Sequence, residues 1–467
     1  MSELFDVLEN ETQTTNGMPA YVSTKNANLD LFFVIGTARG QDVWSTFERA
    51  YLEDAALATR ILLWSRDIRG GAGERQRFRD IVTKMAESND ANFHKFMVAI
   101  INKIPELGRW DDLFAFVGTK FEDQALSLFA NGIKSGNGLA GKWAPRKGQF
   151  AVILRNALAL SPKGYRKTIV ALTKVVEQQM CAKKWNEIEY SHVPSIASKN
   201  YARAFRRHDG ERYQEYLNAV INGGKKMNAN AIFPHQIVQP FLAWSCNDGD
   251  EQQAAAQWKN LPNYLEGVNE RILPVCDVSG SMTGMPMNVS VGLGLYFSER
   301  LEGVFKNCVV TFSSKPSFVK LKKTKLIERI AELSHIEWGI STDIEAMFKR
   351  LLDVAVENKV APDQMPTKLL IISDMQFDHC CKNASEKMFT MVKRMYKESG
   401  YEMPQLVFWN VSNDDNKNVP IKHDERGVAL VSGASPAVIE SVLGADIDPM
   451  SVMLKTVMKD RYLVTEN

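Results

Sequence analysis

Cys276-Asp277-Val278-Ser279-Gly280-Ser281-Met282 is an Asp-x-Ser-x-Ser loop. It offers one carboxylate and two hydroxyls on a tight turn. Such an all-oxygen set suits a hard divalent cation, Mg2+ or a similar ion. Gly280 and Gly284 supply the backbone freedom such a loop needs. Further oxygens must come from other loops. Thr342, in Trp338-Gly339-Ile340-Ser341-Thr342-Asp343, opens a helical stretch, and Ser341 is its alternative. Asp374 follows the apolar run Leu369-Leu370-Ile371-Ile372-Ser373 directly. The candidate ligands are therefore Asp277, Ser279, Ser281, Thr342 and Asp374. Alone, Asp-x-Ser-x-Ser is a common polar turn; its strand context and two distant partners favour a metal site.

No catalytic residue is assigned, and the chain is read as a binding protein, not an enzyme. His335 and His379 stand near these loops in sequence but form no recognisable triad. A hydrolase would need a second carboxylate cluster or an activated nucleophile. The run Asp374, Asp378, His379, Cys380, Cys381 does not read as a transition-metal site. Adjacent cysteines point different ways on either a helix or a strand.

A second chemistry is charge. Between Lys134 and Lys226, eighteen Lys and Arg stand against six Asp and Glu, a local balance of +12. The whole chain sums to +2, so the remainder carries −10. A block of this kind can neutralise several phosphates, with an affinity that falls steeply with salt. The candidate RNA-binding residues are Lys142, Arg146, Lys147, Arg203, Arg206, Arg207, His208, Lys225 and Lys226. Interleaved aromatics such as Trp143, Trp185 and Tyr201 can stack on unpaired bases, although aromatics at helical spacing mostly face inward. The competing reading is a solvated basic face. Arg203 to His208 precede an Asp-Gly turn, where cations favour a helix end without any RNA.

Two glycine-rich segments are decoys for phosphate binding. Gly136-Asn137-Gly138-Leu139-Ala140-Gly141-Lys142 matches a P-loop spacing, but Trp143 replaces the magnesium-holding Ser or Thr and no strand precedes it. Gly70-Gly71-Ala72-Gly73 precedes a helix and reads as an interhelical turn. The neighbouring Arg75, Arg77 and Arg79 leave phosphate contact open there.

The elements that must position these groups change near residue 270. Before it the apolar spacing is helical, as in Gln41–Ser65, Glu74–Met85, Asn92–Ile104, Ser195–Phe205 and Glu211–Ile221. After it, strand candidates Ile272–Cys276, Cys308–Phe312, Lys368–Ser373, Gln405–Asn410 and Val428–Val431 alternate with helical stretches. That alternation implies a parallel sheet covered on both faces, with ligands at the strands' carboxyl ends. The expected fold class is α + α/β, an α-helical repeat arranged as a HEAT-like ring or arc followed by a doubly wound domain. The expected organisation is a flexible stretch 1–25, a helical domain 26–268 and an α/β domain 269–467.

Composition agrees with a globular chain. Its 467 residues are 45% apolar and 24% charged, which excludes wholesale disorder and collagen-like structure. Six cysteines include no Cys-x-x-Cys pair, so a zinc ribbon is not expected. The start shows no signal-peptide pattern, and no apolar run approaches the ~18 residues that span a bilayer. The expectation is a cytoplasmic protein with no membrane partner.

The Asp-x-Ser-x-Ser loop with Thr342 and Asp374 resembles the metal-ion-dependent adhesion site (MIDAS) of von Willebrand factor A domains. That resemblance implies hydroxyl ligands from Ser279, Ser281 and Thr342. It also implies aspartates 277 and 374 binding directly or through water, with a protein partner's carboxylate completing the shell. Several segments extend the resemblance to residues 28–460 or so. They include Trp64 to Arg75, Gly108-Arg109-Trp110-Asp111-Asp112-Leu113, Lys142-Trp143-Ala144-Pro145-Arg146, Phe233-Pro234-His235 and Ser373 to Asp378. Together they resemble the Ro autoantigen (TROVE-domain) superfamily, in particular its branch with an N-terminal helical domain and a C-terminal von Willebrand factor A-type domain. This implies a ribonucleoprotein scaffold that binds small structured or misfolded RNA. The alternative is a metal-dependent protein-interaction module with no RNA role.

Overall fold

The structure, a computed structural model, describes residues 9–38, 41–242, 250–312, 316–334, 343–378, 388–412, 418–444 and 447–466. An N-terminal hairpin of β1 (Glu11–Gln13) and β2 (Pro19–Tyr21) leads into a helical region. A six-stranded sheet follows: β3 (Ile272–Asp277), β4 (Cys308–Phe312), β5 (Ser317–Lys320), β6 (Lys368–Ser373), β7 (Gln405–Asn410) and β8 (Val428–Ser432). Its order is β5-β4-β3-β6-β7-β8, parallel throughout except for the antiparallel edge strand β5. Helices flank it, so the α + α/β class holds.

The central strands are legible because they are buried on both faces. Every residue of β3, β6 and β8 is buried, which requires unbroken apolar runs rather than alternation. Pro274 sits inside β3, opposite Leu370 of β6, and one residue before the β3–β4 ladder begins at Val275 opposite Val310. The chain crosses from the β4 side to the β6 side of β3. The crevice of this reversal opens at the carboxyl ends of β3 and β6, where ligands of open α/β sheets bind.

The helical region differs from expectation in its joints. The stretch expected as one helix over 41–65 is two, Trp44–Glu53 and Ala55–Arg66, separated at Asp54. Asp54 takes an extended backbone and its side chain accepts from Leu57 N, an N-cap that starts the second helix. The stretches 195–205 and 211–221 are helical as expected, and the backbone breaks between them at Asp209, whose φ −151° and ψ 43° are non-helical, so the basic run closes the first helix just before the Asp-Gly turn.

Residues up to 25 read as loose from composition, but those from Asn10 to Thr24 are tied down. Tyr21 and Val419 exchange backbone hydrogen bonds of 2.9 Å. Thr14 Oγ1 donates to Phe377 O at 2.7 Å, and Asn418 Nδ2 donates to Gln13 O at 2.7 Å. Polar composition misleads here because the segment's partners lie about 360–400 residues away.

The two regions share one core. The helix Ala27–Ile35 is apolar nearly all round and buried, and it packs on β8 and on the helices 44–53, 55–66 and Pro449–Val457. Ser432 Oγ donates to Phe32 O at 2.7 Å. A continuous apolar cluster runs from Met18 to Tyr462, while a smaller one gathers residues between Val176 and Met227 with Ala256. Among the described residues no helix is long and apolar enough to cross a membrane.

Candidate cation site and basic face

Asp277 ends β3 and is fully buried. Its Oδ1 accepts from Ser279 N at 2.9 Å and its Oδ2 from Ser373 Oγ at 2.6 Å. Ser290 Oγ, on the helix Met285–Arg300, donates to Asp277 O at 3.0 Å and pins the strand end. Ser279 is buried, and its Oγ lies 3.1 Å from Oγ of the exposed Ser281. Asp374 follows β6 and is buried, with Oδ1 accepting from Gln376 N at 3.0 Å. Met375 beside it has φ 65°, a left-handed conformation rare for a side chain of this kind. Such strain persists where surroundings enforce it, and here Met375 N donates to Ser373 Oγ at 3.0 Å.

The electrostatics fit a cation. Burial pushes the Asp277 carboxyl up to about 7, and the charge of Asp374 adds to the rise, against hydrogen bonds from Ser279 and Ser373. Two carboxylates thus share a dry crevice, a state that a divalent ion relieves directly. Among the described residues no three His, Cys, Asp or Glu side chains converge on a metal-like site. A cation here would therefore depend on Asp277, Asp374 and the hydroxyls of Ser279 and Ser281. Thr342, Ser341, His335, His379, Cys380 and Cys381 lie outside the described residues. Asp343, the next residue after Thr342, caps the helix Ile344–Glu357 by accepting from Ala346 N at 2.7 Å.

Sequence reasoning missed two parts of this site. Ser373 reads as a strand residue, yet it bonds both Asp277 and Met375. The N-terminal hairpin also walls the crevice: Thr15 N donates to Gln376 Oε1 at 2.8 Å and Asn16 Nδ2 to Gln376 O at 2.7 Å. A small cavity at Asp374 is lined by Thr37 and Gln41 of the helical region together with Asn410 and Ser412.

The basic candidates separate by environment. Of the eighteen Lys and Arg between 134 and 226, thirteen are exposed and none is buried. Arg146, Lys147, Arg203, Arg207, Lys225 and Lys226 are exposed, and Lys142 is half-buried. Arg206 is different: its guanidinium is ion-paired to Asp250 and hydrogen-bonded to Gln214 and Gln252, which removes it from the free surface. His208 is exposed but stacked on Trp185, with ring centroids 4.4 Å apart.

The glycine-rich decoys turn out to be joints. Asn137 accepts from Leu139 N and Ala140 N, so the first N–H groups of the six-residue helix Gly138–Trp143 are already satisfied. In the 70–73 turn, Ala72 N donates to Trp64 O and Gly73 N to Asp67 O. A Cβ on Gly71 would stand 1.8 Å from Trp64 O, so only glycine fits. Arg79 is bound to Asp111 and Asp112, and Arg77 to Asp80. Asp112 is fully buried and also takes Arg66 Nε at 2.8 Å and Arg109 N at 2.9 Å. Arg109 lies 3.5 Å over the Trp143 ring. The recurring Arg, Trp and Asp of these segments thus build the scaffold.

Comparison with known proteins gives two family matches. The family described as "Domain of unknown function (DUF2828)" matches residues 14–135 and 154–267, and that described as "Domain of unknown function (DUF7788)" matches residues 271–460. A relative, "Uncharacterized protein L728" of Acanthamoeba polyphaga mimivirus, is 30% identical over 96% of this chain and 87% of its own length. With half of its residues matched by the first family and this relative aligned nearly end to end, the chain belongs to the DUF2828 family, and the region after its helical part is similar to the second.

Proposed function

We propose that this protein is a non-enzymatic RNA-binding scaffold of the Ro (TROVE-like) kind, working in the cytoplasm. Its α/β region is then a von Willebrand factor A-type domain. The observation that carries the RNA reading is the exposure of thirteen of the eighteen basic side chains between residues 134 and 226. Only Lys184, Arg206 and Arg212 of the eighteen sit in ion pairs with described residues. Structured or misfolded RNA meets such a face through its phosphates, which fix position without reading sequence. A cation, Mg2+ or a similar ion, would be held by Asp277, Asp374, Ser279 and Ser281, together with Thr342 as the sequence motif expects. It would supply a binding point for a partner's carboxylate. No step of bond breaking is assigned to it.

The test is gel shift and anisotropy with a structured RNA across a salt series, using Arg203→Glu with Arg207→Glu and Lys225→Glu with Lys226→Glu. Every phosphate that a variant no longer neutralises should flatten the salt slope by about 1 and weaken all RNA sequences alike. Protein that purifies free of nucleic acid and fails to shift RNA at low salt would sink the reading. The second reading, cation-dependent protein binding without RNA, is favoured by the buried Asp277–Asp374 pair, which needs no RNA to explain it.

A further inference from the structure

The helix Glu251–Lys259 carries Gln253 and Gln257 one turn apart, and both are buried, at 3% and 0% exposure. Gln257 Nε2 donates to Ser195 O at 2.7 Å, which fixes that amide's orientation. Among the described residues, Gln257 Oε1 and Gln253 Nε2 have no hydrogen-bond partner. A buried amide left unpaired is costly, and two on one helix face call for an explanation. Both residues line a cleft of about 290 Å³. That is at the low end of the roughly 300–1,000 Å³ of ligand sites, the size for one heterocycle rather than a long ligand.

The other walls suit the same guest. Phe241 and Ile237 offer apolar faces, and Arg203 stands at the cleft as an exposed cation. Arg207 is exposed one helical turn further on. Asp250 also lines the cleft, but its carboxylate is already taken by Arg206 and by Gln253 N. Every nucleobase presents one acceptor beside one donor on its Watson–Crick edge. An unpaired amide N–H and an unpaired amide C=O can meet that edge in any of the four bases.

We propose that this cleft receives a single unpaired nucleobase. Its edge meets Gln253 and Gln257, its face stacks on Phe241, and the adjoining phosphates lie on Arg203 and Arg207. The proposal rests on the RNA-scaffold reading and adds a preference for RNA with an unpaired nucleotide. Stacking tolerates every base, so the site selects single-strandedness and not sequence.

The experiment compares a labelled single-stranded oligoribonucleotide with a blunt RNA duplex on the full chain, by anisotropy. The variants are Gln253→Met and Phe241→Leu, with thermal melts to check folding. Each variant should weaken the single strand about tenfold and leave the duplex within about twofold. Adenosine 5′-monophosphate, titrated by calorimetry, forms the second arm. If RNA binds but both variants bind the single strand as the parent does, the cleft is only a water site and the proposal falls while the scaffold reading stands. If no RNA binds but the nucleotide does, and Gln253→Met abolishes that, the scaffold reading falls and the base pocket stands. Failure of both ligands overturns both.

Discussion

At the scale of single residues, the decisive feature is where charge is buried. Asp277 and Asp374 lie at the end of β3 and just after β6, and the charge of Asp374 makes that of Asp277 costlier to hold. Mg2+ that binds the folded state alone should stabilise it by about 2.7 kcal/mol at a hundredfold excess over Kd. The measurement is a thermal melt with and without Mg2+, and Asp277→Ala should abolish the difference. Asp67 shows the opposite arrangement. Burial would raise its carboxyl, but Arg461, Arg69 N and Tyr462 outweigh this and hold it below its ordinary 3.8. A carboxylate whose folded pKa is lowered adds stability that is present above its unfolded pKa and lost as pH falls through the folded one. The protein should therefore lose this contribution below about pH 4. Asp67→Asn should cost about 2 kcal/mol at neutral pH, less than a wholly buried pair because Arg461 is a third exposed, and should flatten the acid limb of a stability–pH curve.

At the scale of elements, glycine sets the closest approach. A Cβ on Gly292, in the 285–300 helix, would stand 2.6 Å from the backbone N of His235, on the helix Pro234–Val238. Backbone cannot yield as a side-chain tip can, so Gly292→Ala should destabilise by about 1–3 kcal/mol in a denaturant titration. The N-terminal hairpin is the second device at this scale. Thr14→Val removes the bond to Phe377 O and should speed amide exchange in residues 374–378, with a loss of about 1 kcal/mol. These elements also mark what could be read in advance. The all-buried strands were legible to within a residue, because burial on both faces dictates runs such as Leu369 to Ile372. Strand β5 was not, since it is four residues long, alternates, and sits at an edge. The Asp277 and Asp374 ends of the crevice followed from those strands. Ser373 and the hairpin wall did not, because their role depends on contacts that no local pattern records.

At the scale of the whole molecule, the two sequence regions do not behave as beads on a string. The helix 27–35 fills the groove between β8, the helices that follow it and the helix 449–457. Asn410 Nδ2, from the end of β7, reaches Phe33 O at 3.2 Å, and Arg461 and Tyr462 close on Asp67. One apolar cluster contains Trp64 and Trp409 alike. Cutting the chain near residue 268 would expose that shared core on both pieces, and a sheet stripped of its covering helix is an aggregation surface. Fragments 1–268 and 269–467 expressed alone should therefore be insoluble or molten, while co-expression should recover a complex. The smaller cluster between Val176 and Met227 is separate from the main core. It should open first in native-state hydrogen exchange, at a lower free energy than β3 and β6. Two soluble, cooperatively folding fragments would show that the interface is dispensable. The basic face and the cation crevice would then be free to evolve and act as independent modules.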